Sequence, residues 1–309
     1  MMQLVATSQQ RIPANHKPLR PGERYKLLHK IAKTGTTKIH LAFDVDQGHD
    51  VILKVVSREN PDVIRALVNE ARMLEKRISM SFPEFYEYGE LSSSDFNFIA
   101  MEAIPGRNLS DLIKMNTAGV TWWKAVGYVR EVGQALKDLH EGGYVHQDIK
   151  PANIILPDNG GSLGSIRLID LGLACGIDAV APKIFLGTPE YASPEQVKEK
   201  KTSVRSDIYS LGIVLFELLT GKNPMLDKNW ARSLTNQLIK PFPELPREAL
   251  VGKLNDVVFA RLRNIIAGMT AKDPADRPQN IDIVLEALGE LGPPPFPDSA
   301  LKYIRLLPI

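Results

Sequence analysis

In the first third of the chain, apolar residues come in short runs broken by polar or glycine-containing turns. Between about Arg24 and Glu102 the runs RYKLLHKIA, TTKIHLAF, DVILKVV and FNFIAME have the length and composition of β-strands. One segment keeps helical spacing instead. It starts at Asn60-Pro61-Asp62, an N-cap, a first-turn proline and an early acid, and VIRALVNEARMLEKR then sets Ile64, Leu67, Ala71 and Leu74 on one face. From about Asn108 onward helical periodicity dominates, as in TWWKAVGYVREVGQALKDLH and VVFARLRNIIAGM. IYSLGIVLFELL, from Ile208 to Leu219, is apolar almost all round. It contains Glu217 and is shorter than the roughly 20 residues that span a bilayer, so it reads as a helix in the centre of a helical core. Ser206 or Asp207 is expected to cap its start and Gly221 its end.

The texture changes near AIPGR, residues 103–107, where Pro105-Gly106 marks a turn. The pattern therefore predicts an α+β protein of two lobes: a small strand-rich one with one main helix, and a larger, mainly helical one. Such a pair leaves a cleft, a usual place for a small-molecule site. No internal repeat is visible, and GPPPFP near the C-terminus is expected to be extended.

Composition narrows the classes. A chain of 309 residues supports two lobes. A net charge of +2 gives no long-range field of one sign, which argues against a nucleic-acid or anionic-membrane partner. The single cysteine, Cys175, excludes an intrachain disulfide and any multi-cysteine zinc site, and fits a reducing compartment. The lead-in MMQLVATSQQRIPANHKPLRPG has no apolar core of a signal peptide.

Candidate chemistry gathers in HQDIKPANIIL, residues 146–156, where Asp148, Lys150 and Asn153 precede an apolar run. Taken alone, such a triplet is more often a surface loop with a capping Asp and a turn Asn. Downstream, RLIDLGLA ends an apolar strand on Asp170. A carboxylate there and the amide oxygen of Asn153 are hard ligands of the kind magnesium takes when water and phosphate fill its other positions. Asp148 is then able to accept a proton from a hydroxyl, and Lys150 to neutralise a phosphoryl group. In VILKVV, Lys54 interrupts an apolar strand and must either reach water or find an anion, which Glu70 on the helix can supply; taken alone, a strand lysine is more often simply an edge charge.

With these residues in place, the chain resembles eukaryotic-type serine/threonine protein kinases as found in bacteria. HQDIKPAN is similar to the family's H-R-D-x-K-x-x-N loop, DLG to D-F-G, VILK to V-A-I-K and YASPE to A-P-E. GTPEYASPEQ, SDIYSLGIVLFELLTGKNP and DPADRP follow in the family's order. The resemblance covers roughly residues 24–290. It implies a small lobe at 24–102, a hinge at 103–107 and a large lobe at 108–290, with extensions at 1–23 and 291–309.

The resemblance also implies roles. Asp148 is the catalytic base and Lys150 a phosphate contact; Asn153 and Asp170 are the magnesium ligands. Lys54, held by Glu70, clamps the ATP phosphates. Met101 stands at the back of the adenine pocket, backbone groups of Glu102 and Ile104 meet the base, and Ile31, Ile39, Ile52 and Ile155 line the nucleotide. Thr188 lies in the substrate loop and, with Lys150, favours serine or threonine acceptors. Glu195 and Arg277 form a buried ion pair. The implied activity is transfer of the γ-phosphate of ATP, with Mg2+, to Ser/Thr hydroxyls of a protein in the cytoplasm, with the bacterial cytosol preferred and delivery into another cell as the alternative. Regulation falls to a separate partner or to the two extensions.

Departures from the pattern motivate a second reading, a pseudokinase scaffold. In IAKTGTTKIHLA the family's glycines fall at Ala32, Thr34 and Thr37, with only Gly35 nearby, and Ile52 replaces the alanine of V-A-I-K. Gln147 stands where regulated kinases carry the arginine that grips an activation-segment phosphate. The segment LGLACGIDAVAPKIFL, 171–186, contains no Ser, Thr or Tyr, so activity is expected not to depend on its phosphorylation. Cys175, Trp122 and Trp123 read as packing residues, His146 as a brace for the loop, and KEKK at 198–201 as a solvated face.

Overall fold

The computed structural model describes residues 24–34, 36–91, 95–158, 166–177, 179, 185, 187–198, 200–252 and 254–292. Residues 1–23, Gly35, Glu199 and residues 293–309, with most of GPPPFP, lie outside this set. The chain divides into two compact units. Among the described residues, one comprises those up to Arg77 and those from Pro83 to Ala103, and the other Ile78–Phe82 and those from Ile104 onward.

The first unit contains β1 (Tyr25–Thr34), β2 (Thr37–Asp44), β3 (His49–Ser57), α1 (Pro61–Glu75), β4 (Phe85–Leu91) and β5 (Phe96–Glu102). The strands form an antiparallel sheet in the order β1-β2-β3-β5-β4. Period-2 alternation on β3 sends Val51 and Leu53 into a cluster with Tyr25, Ala42, Phe98 and Ala100, while Ile52 and Lys54 take the opposite face. Each fully buried Val or Leu of this kind contributes about 1.5–3 kcal/mol. Strand β4, FYEYGEL, is the one the hydrophobic pattern passes over. Its Gly89 is needed because a Cβ there would stand 2.6 Å from the Phe98 ring.

Although β1 and β4 are opposite edges, they are joined at one end. Arg24 holds Asp44 at 2.8 Å and Glu87 of β4 at 3.0 Å, and the Tyr25 hydroxyl donates to Glu87 at 2.8 Å. Burial alone would raise the Asp44 carboxyl, but hydrogen bonds from Arg24 and from the Gln47 and Asp46 amides bring it below its usual value. Helix α1 starts as its sequence requires, with the Asn60 side chain accepting from the Asp62 and Val63 amides at 3.0 and 3.3 Å.

The second unit contains β6 (Gly106–Asn108), α2 (Leu109–Met115), α3 (Trp122–Glu141), β7 (Tyr144–Val145), β8 (Ile154–Pro157), β9 (Arg167–Leu168) and β10 (Cys175–Gly176). It continues with α4 (Pro194–Val197), α5 (Val204–Thr220), α6 (Trp230–Ile239), α7 (Asp256–Met269) and α8 (Ile281–Gly289). Helix α5 is the buried axle, with α3, α7 and α8 packed on it. Its start differs from expectation. The N-cap is Ser203, whose side chain accepts from the Arg205 amide while its own amide donates to Ser206 Oγ. Asp207 has other partners, and the polar lead-in lets the helix begin a turn earlier. Its end is as expected: Gly221 takes φ 72°, and a Cβ there would lie 2.2 Å from the Thr117 carbonyl.

Residues 78–82, inside the span expected for the small lobe, pack with the second unit. Ser81 accepts from the Leu168 amide at 2.8 Å, Phe82 from Arg167 at 2.8 Å, and Ser79 donates to Asp138 at 2.5 Å.

Arg277 and Glu195 meet in a two-pronged pair at 2.8 and 2.9 Å, with Ser206 donating to the same carboxylate at 2.7 Å. Burial would raise the Glu195 carboxyl, but the Arg277 guanidinium holds it below its ordinary value. Removing one partner leaves an uncompensated buried charge. Arg277→Met is expected to cost about 3–5 kcal/mol in urea unfolding, and Glu195→Leu combined with it to restore much of that loss.

Candidate active site

The segment from His146 to Asn153 is set on helix α5 by one carboxylate. Asp207, 1% exposed, accepts the backbone amides of His146 and Gln147 at 2.8 Å each and faces the His140 ring nitrogen Nε2 at 2.9 Å. Gln147 adopts φ 68°, a left-handed conformation unusual for a residue with a side chain. The two amide bonds hold it there and aim the next residue, Asp148. His146 is fully enclosed. Burial lowers its ring pKa against the pull of Asp207, so the imidazole is neutral, and its Nδ1 accepts the Asp148 amide at 3.3 Å. It therefore braces the loop.

Asp148 is the hub of the cluster. Its Oδ2 takes the Lys150 ammonium at 2.5 Å and the Asn153 amide nitrogen at 3.1 Å, and its Oδ1 takes the Thr188 hydroxyl at 2.9 Å. Lys150 also donates to Thr188 at 2.8 Å, closing a triangle of three side chains. Asn153 spends its NH2 on the carboxylate and the backbone carbonyl of Asp148, at 3.1 and 2.9 Å, which turns its own carbonyl oxygen the other way. The Ile169 amide donates to the Asn153 backbone carbonyl at 2.9 Å and Ile154 pairs with Leu168, so Asp170 follows directly on a strand anchored to Asn153. Asp170 is itself at φ 67°.

Asn153 and Asp170 offer hard oxygen donors. No cluster of three or more His, Cys, Asp or Glu able to hold a metal occurs among the described residues. That donor set fits a cation that keeps water and phosphate ligands and does not fit a zinc cage.

In the first unit Lys54 meets Glu70 at 2.7 Å, with the carboxylate 2% exposed. Pairing of Ile39 with Lys54 and of Ile52 with Met101 puts these four on one face of the sheet. Met101 is buried and Ile31, at a bulge of β1, is 52% exposed. The Glu102 amide is taken by the Glu84 carbonyl at 2.9 Å. Ile104 begins the second unit, where Ile155, partly buried on β8, pairs with Asn108.

Past Thr188 the chain is bolted to α5 and α6. Gln237 donates to the Pro189 carbonyl at 3.0 Å and accepts from Tyr209 at 2.7 Å, Ser210 donates to the Tyr191 carbonyl at 2.7 Å, and the Tyr191 hydroxyl donates to Glu217 at 2.6 Å. Asp207 and Gln237 are structural partners that the motif reading missed. The available signal was a polar residue inside otherwise apolar or packing helices, which demands a partner.

A buried acid and amide with a half-buried lysine on one loop, a second carboxylate after the adjoining strand, and a sheet lysine paired with a helix glutamate are together the pattern of a protein kinase. The family model described as protein kinase domain matches residues 25–287, and the chain belongs to that family. Among its relatives, it is 32% identical over 260 residues to the serine/threonine-protein kinase PknL of Mycobacterium tuberculosis, covering 82% of this chain and 62% of that one. It is 30% identical over 274 residues to a probable serine/threonine-protein kinase of Clostridium acetobutylicum, 87% of this chain and 40% of the relative. It is likewise 30% identical to PrkC of Bacillus subtilis over 260 residues, 82% and 38%. The chain thus spans about two fifths to three fifths of the length of these relatives. Among the described residues no helix is long and apolar enough to cross a membrane.

Glu217 supplies a pH test of this region. Burial raises its carboxyl to about 7 even though the Tyr191 hydroxyl bonds the ionised form, and Glu190 adds to the rise. A folded-state value above the unfolded one means that stability falls as pH rises from about 4.5 to about 7, and the penalty persists above that. Glu217→Gln keeps an acceptor for Tyr191 and removes the charge. Its Tm is expected to match wild type near pH 5 and to exceed it near pH 8; a Tm difference independent of pH contradicts the assignment.

Proposed function

We propose that this chain transfers the γ-phosphate of ATP to serine or threonine hydroxyls of a protein. The observation that carries the reading is the bonding of Asp148 to Lys150, Asn153 and Thr188, which fixes a carboxylate beside a cation and a metal-ligand candidate. In this reading Asp148 accepts the proton of the attacking hydroxyl, and Lys150 neutralises charge building on the transferred group. Thr188 keeps the two in register. Lys54, oriented by Glu70, holds the ATP phosphates. Met101 and backbone groups of Glu102 and Ile104 receive the adenine, with Ile31, Ile39, Ile52 and Ile155 as apolar lining. Magnesium, held by Asn153 and Asp170, would supply charge neutralisation across the phosphates.

The names of the relatives support a Ser/Thr protein substrate. The cytosol, and a separate regulatory partner, belong to the same proposal. So does independence from phosphorylation of residues 171–186, which rests on the missing hydroxyls there and on the neutral Gln147.

The replaced glycines around Gly35 favour a second reading, a scaffold with little turnover. One experiment separates them: nucleotide binding with Mg2+, then labelled phosphate transfer by wild type, phosphatase-treated wild type and Asp148→Ala. Loss of a general base is worth about 10²–10⁴-fold, so Asp148→Ala is expected to lose transfer by at least ~10²-fold while still binding nucleotide. Phosphatase treatment is expected to change nothing. Binding without transfer by the wild type supports the scaffold.

A further inference from the structure

Gln147 joins four parts of the second unit. Its backbone amide is held by Asp207 of α5 at 2.8 Å, and its backbone carbonyl accepts from the Gln196 side chain of α4 at 2.9 Å. Its own carboxamide nitrogen donates to the Leu173 carbonyl at 3.1 Å and lies 2.7 Å from the Cys175 sulfur. The side chain thus reaches 26 and 28 residues along the chain, to the start of the segment that leads to Thr188. Backbone pairing continues the attachment. Cys175 and Gly176 pair with Val145 and Tyr144, and the Ile177 amide donates to the Gly143 carbonyl at 2.9 Å. At the far end of the segment, Phe185 packs edge-on against Trp230 of α6 with ring centroids 6.0 Å apart.

Resting on the phosphotransferase reading above, we infer that the Gln147 carboxamide is a positioning residue: an uncharged latch that fixes the start of the segment to the catalytic loop, so that residues 187–191 stand assembled for a peptide without any added phosphate. The geometry contains the reason. Loop and segment are joined by amide-to-carbonyl bonds with no charge to neutralise and no phosphate to wait for, and neutral bonds of this kind are little affected by salt. The same residue is fixed on both sides by Asp207 and Gln196, so the donor is already aimed before the segment arrives.

The chain's single cysteine makes the latch measurable in the full-length protein, because an aromatic disulfide reagent reports only on Cys175. Gln147→Glu keeps the shape but cannot donate, and Gln147→Met removes the donor without adding charge. Both are expected to label Cys175 about five- to tenfold faster than wild type, and to raise KM for a peptide by a similar factor with KM for ATP unchanged, because a single lost donor shifts an opening equilibrium by about that much. Labelling at the wild-type rate in both variants, or faster labelling that only tracks a lowered Tm, overturns the latch. A measurement on the wild type guards against variants that fail to fold. Hydrogen exchange at the Ile177 amide is expected to be slow and identical before and after phosphatase treatment, and exchange at the unprotected rate in dephosphorylated protein overturns the proposal. Thiol labelling and exchange need no turnover. Failure of the phosphotransferase reading alone leaves them intact, and failure of the latch alone leaves phosphate transfer intact.

Discussion

Everything in the second unit depends on the buried carboxylate of Asp207. It sits in the first turn of a helix that is buried along most of its length, where a carboxylate is favoured by the helix N-terminus but would be costly without partners. Its partners are two consecutive backbone amides, of His146 and Gln147, and the His140 ring. That one group converts the rigidity of the core into the conformation of a loop, including the left-handed Gln147 that precedes Asp148. A loop so held can keep Asp148, Lys150, Asn153 and Thr188 at hydrogen-bond distance with no ligand bound, the preorganisation that phosphoryl transfer requires.

Much of this could be read from residue order. Alternation located β1, β2, β3 and β5, and Asn60-Pro61-Asp62 marked the start of α1 because cap, proline and acid each have a local cause. The Lys54–Glu70 pair was legible because a charge in an apolar run needs a counter-charge, whereas the Glu195–Arg277 pair was legible only through the family resemblance. Strand β4 was not legible. FYEYGEL alternates aromatic with acidic and glycine residues, and its place is decided by cross-strand contact with Phe98 and by Arg24. The start of α5 was misplaced for a related reason: TSVRSD offers four side chains able to cap, and the tertiary engagement of Asp207 and Ser206 takes those two away from the role that Ser203 fills. The association of residues 78–82 with the second unit was also invisible, since its hydrogen bonds, two of them to backbone carbonyls, reach partners far along the chain.

Gln147 shows how a departure from a family pattern acquires meaning from structure. In the sequence it is an absence, a missing guanidinium. In the fold it is a donor with defined acceptors, joined to α4 and α5 through its backbone. The glycine replacements near Gly35 keep their sequence-level meaning, a reshaped phosphate cradle, because that residue lies outside the described set. Polar groups elsewhere in the unit follow the same economy: Gln237 and Tyr209 are enclosed, and each satisfies the other while fixing Pro189.

The most direct test of the account is the steady-state kinetics of Asp207→Asn, which preserves the shape of the group but lets only one of its two atoms accept. If this carboxylate sets the catalytic loop, kcat for phosphate transfer falls by at least ~10-fold while KM for ATP stays within about twofold, as a lost charged acceptor of two amides implies. A folded Asp207→Asn protein with wild-type kcat contradicts it.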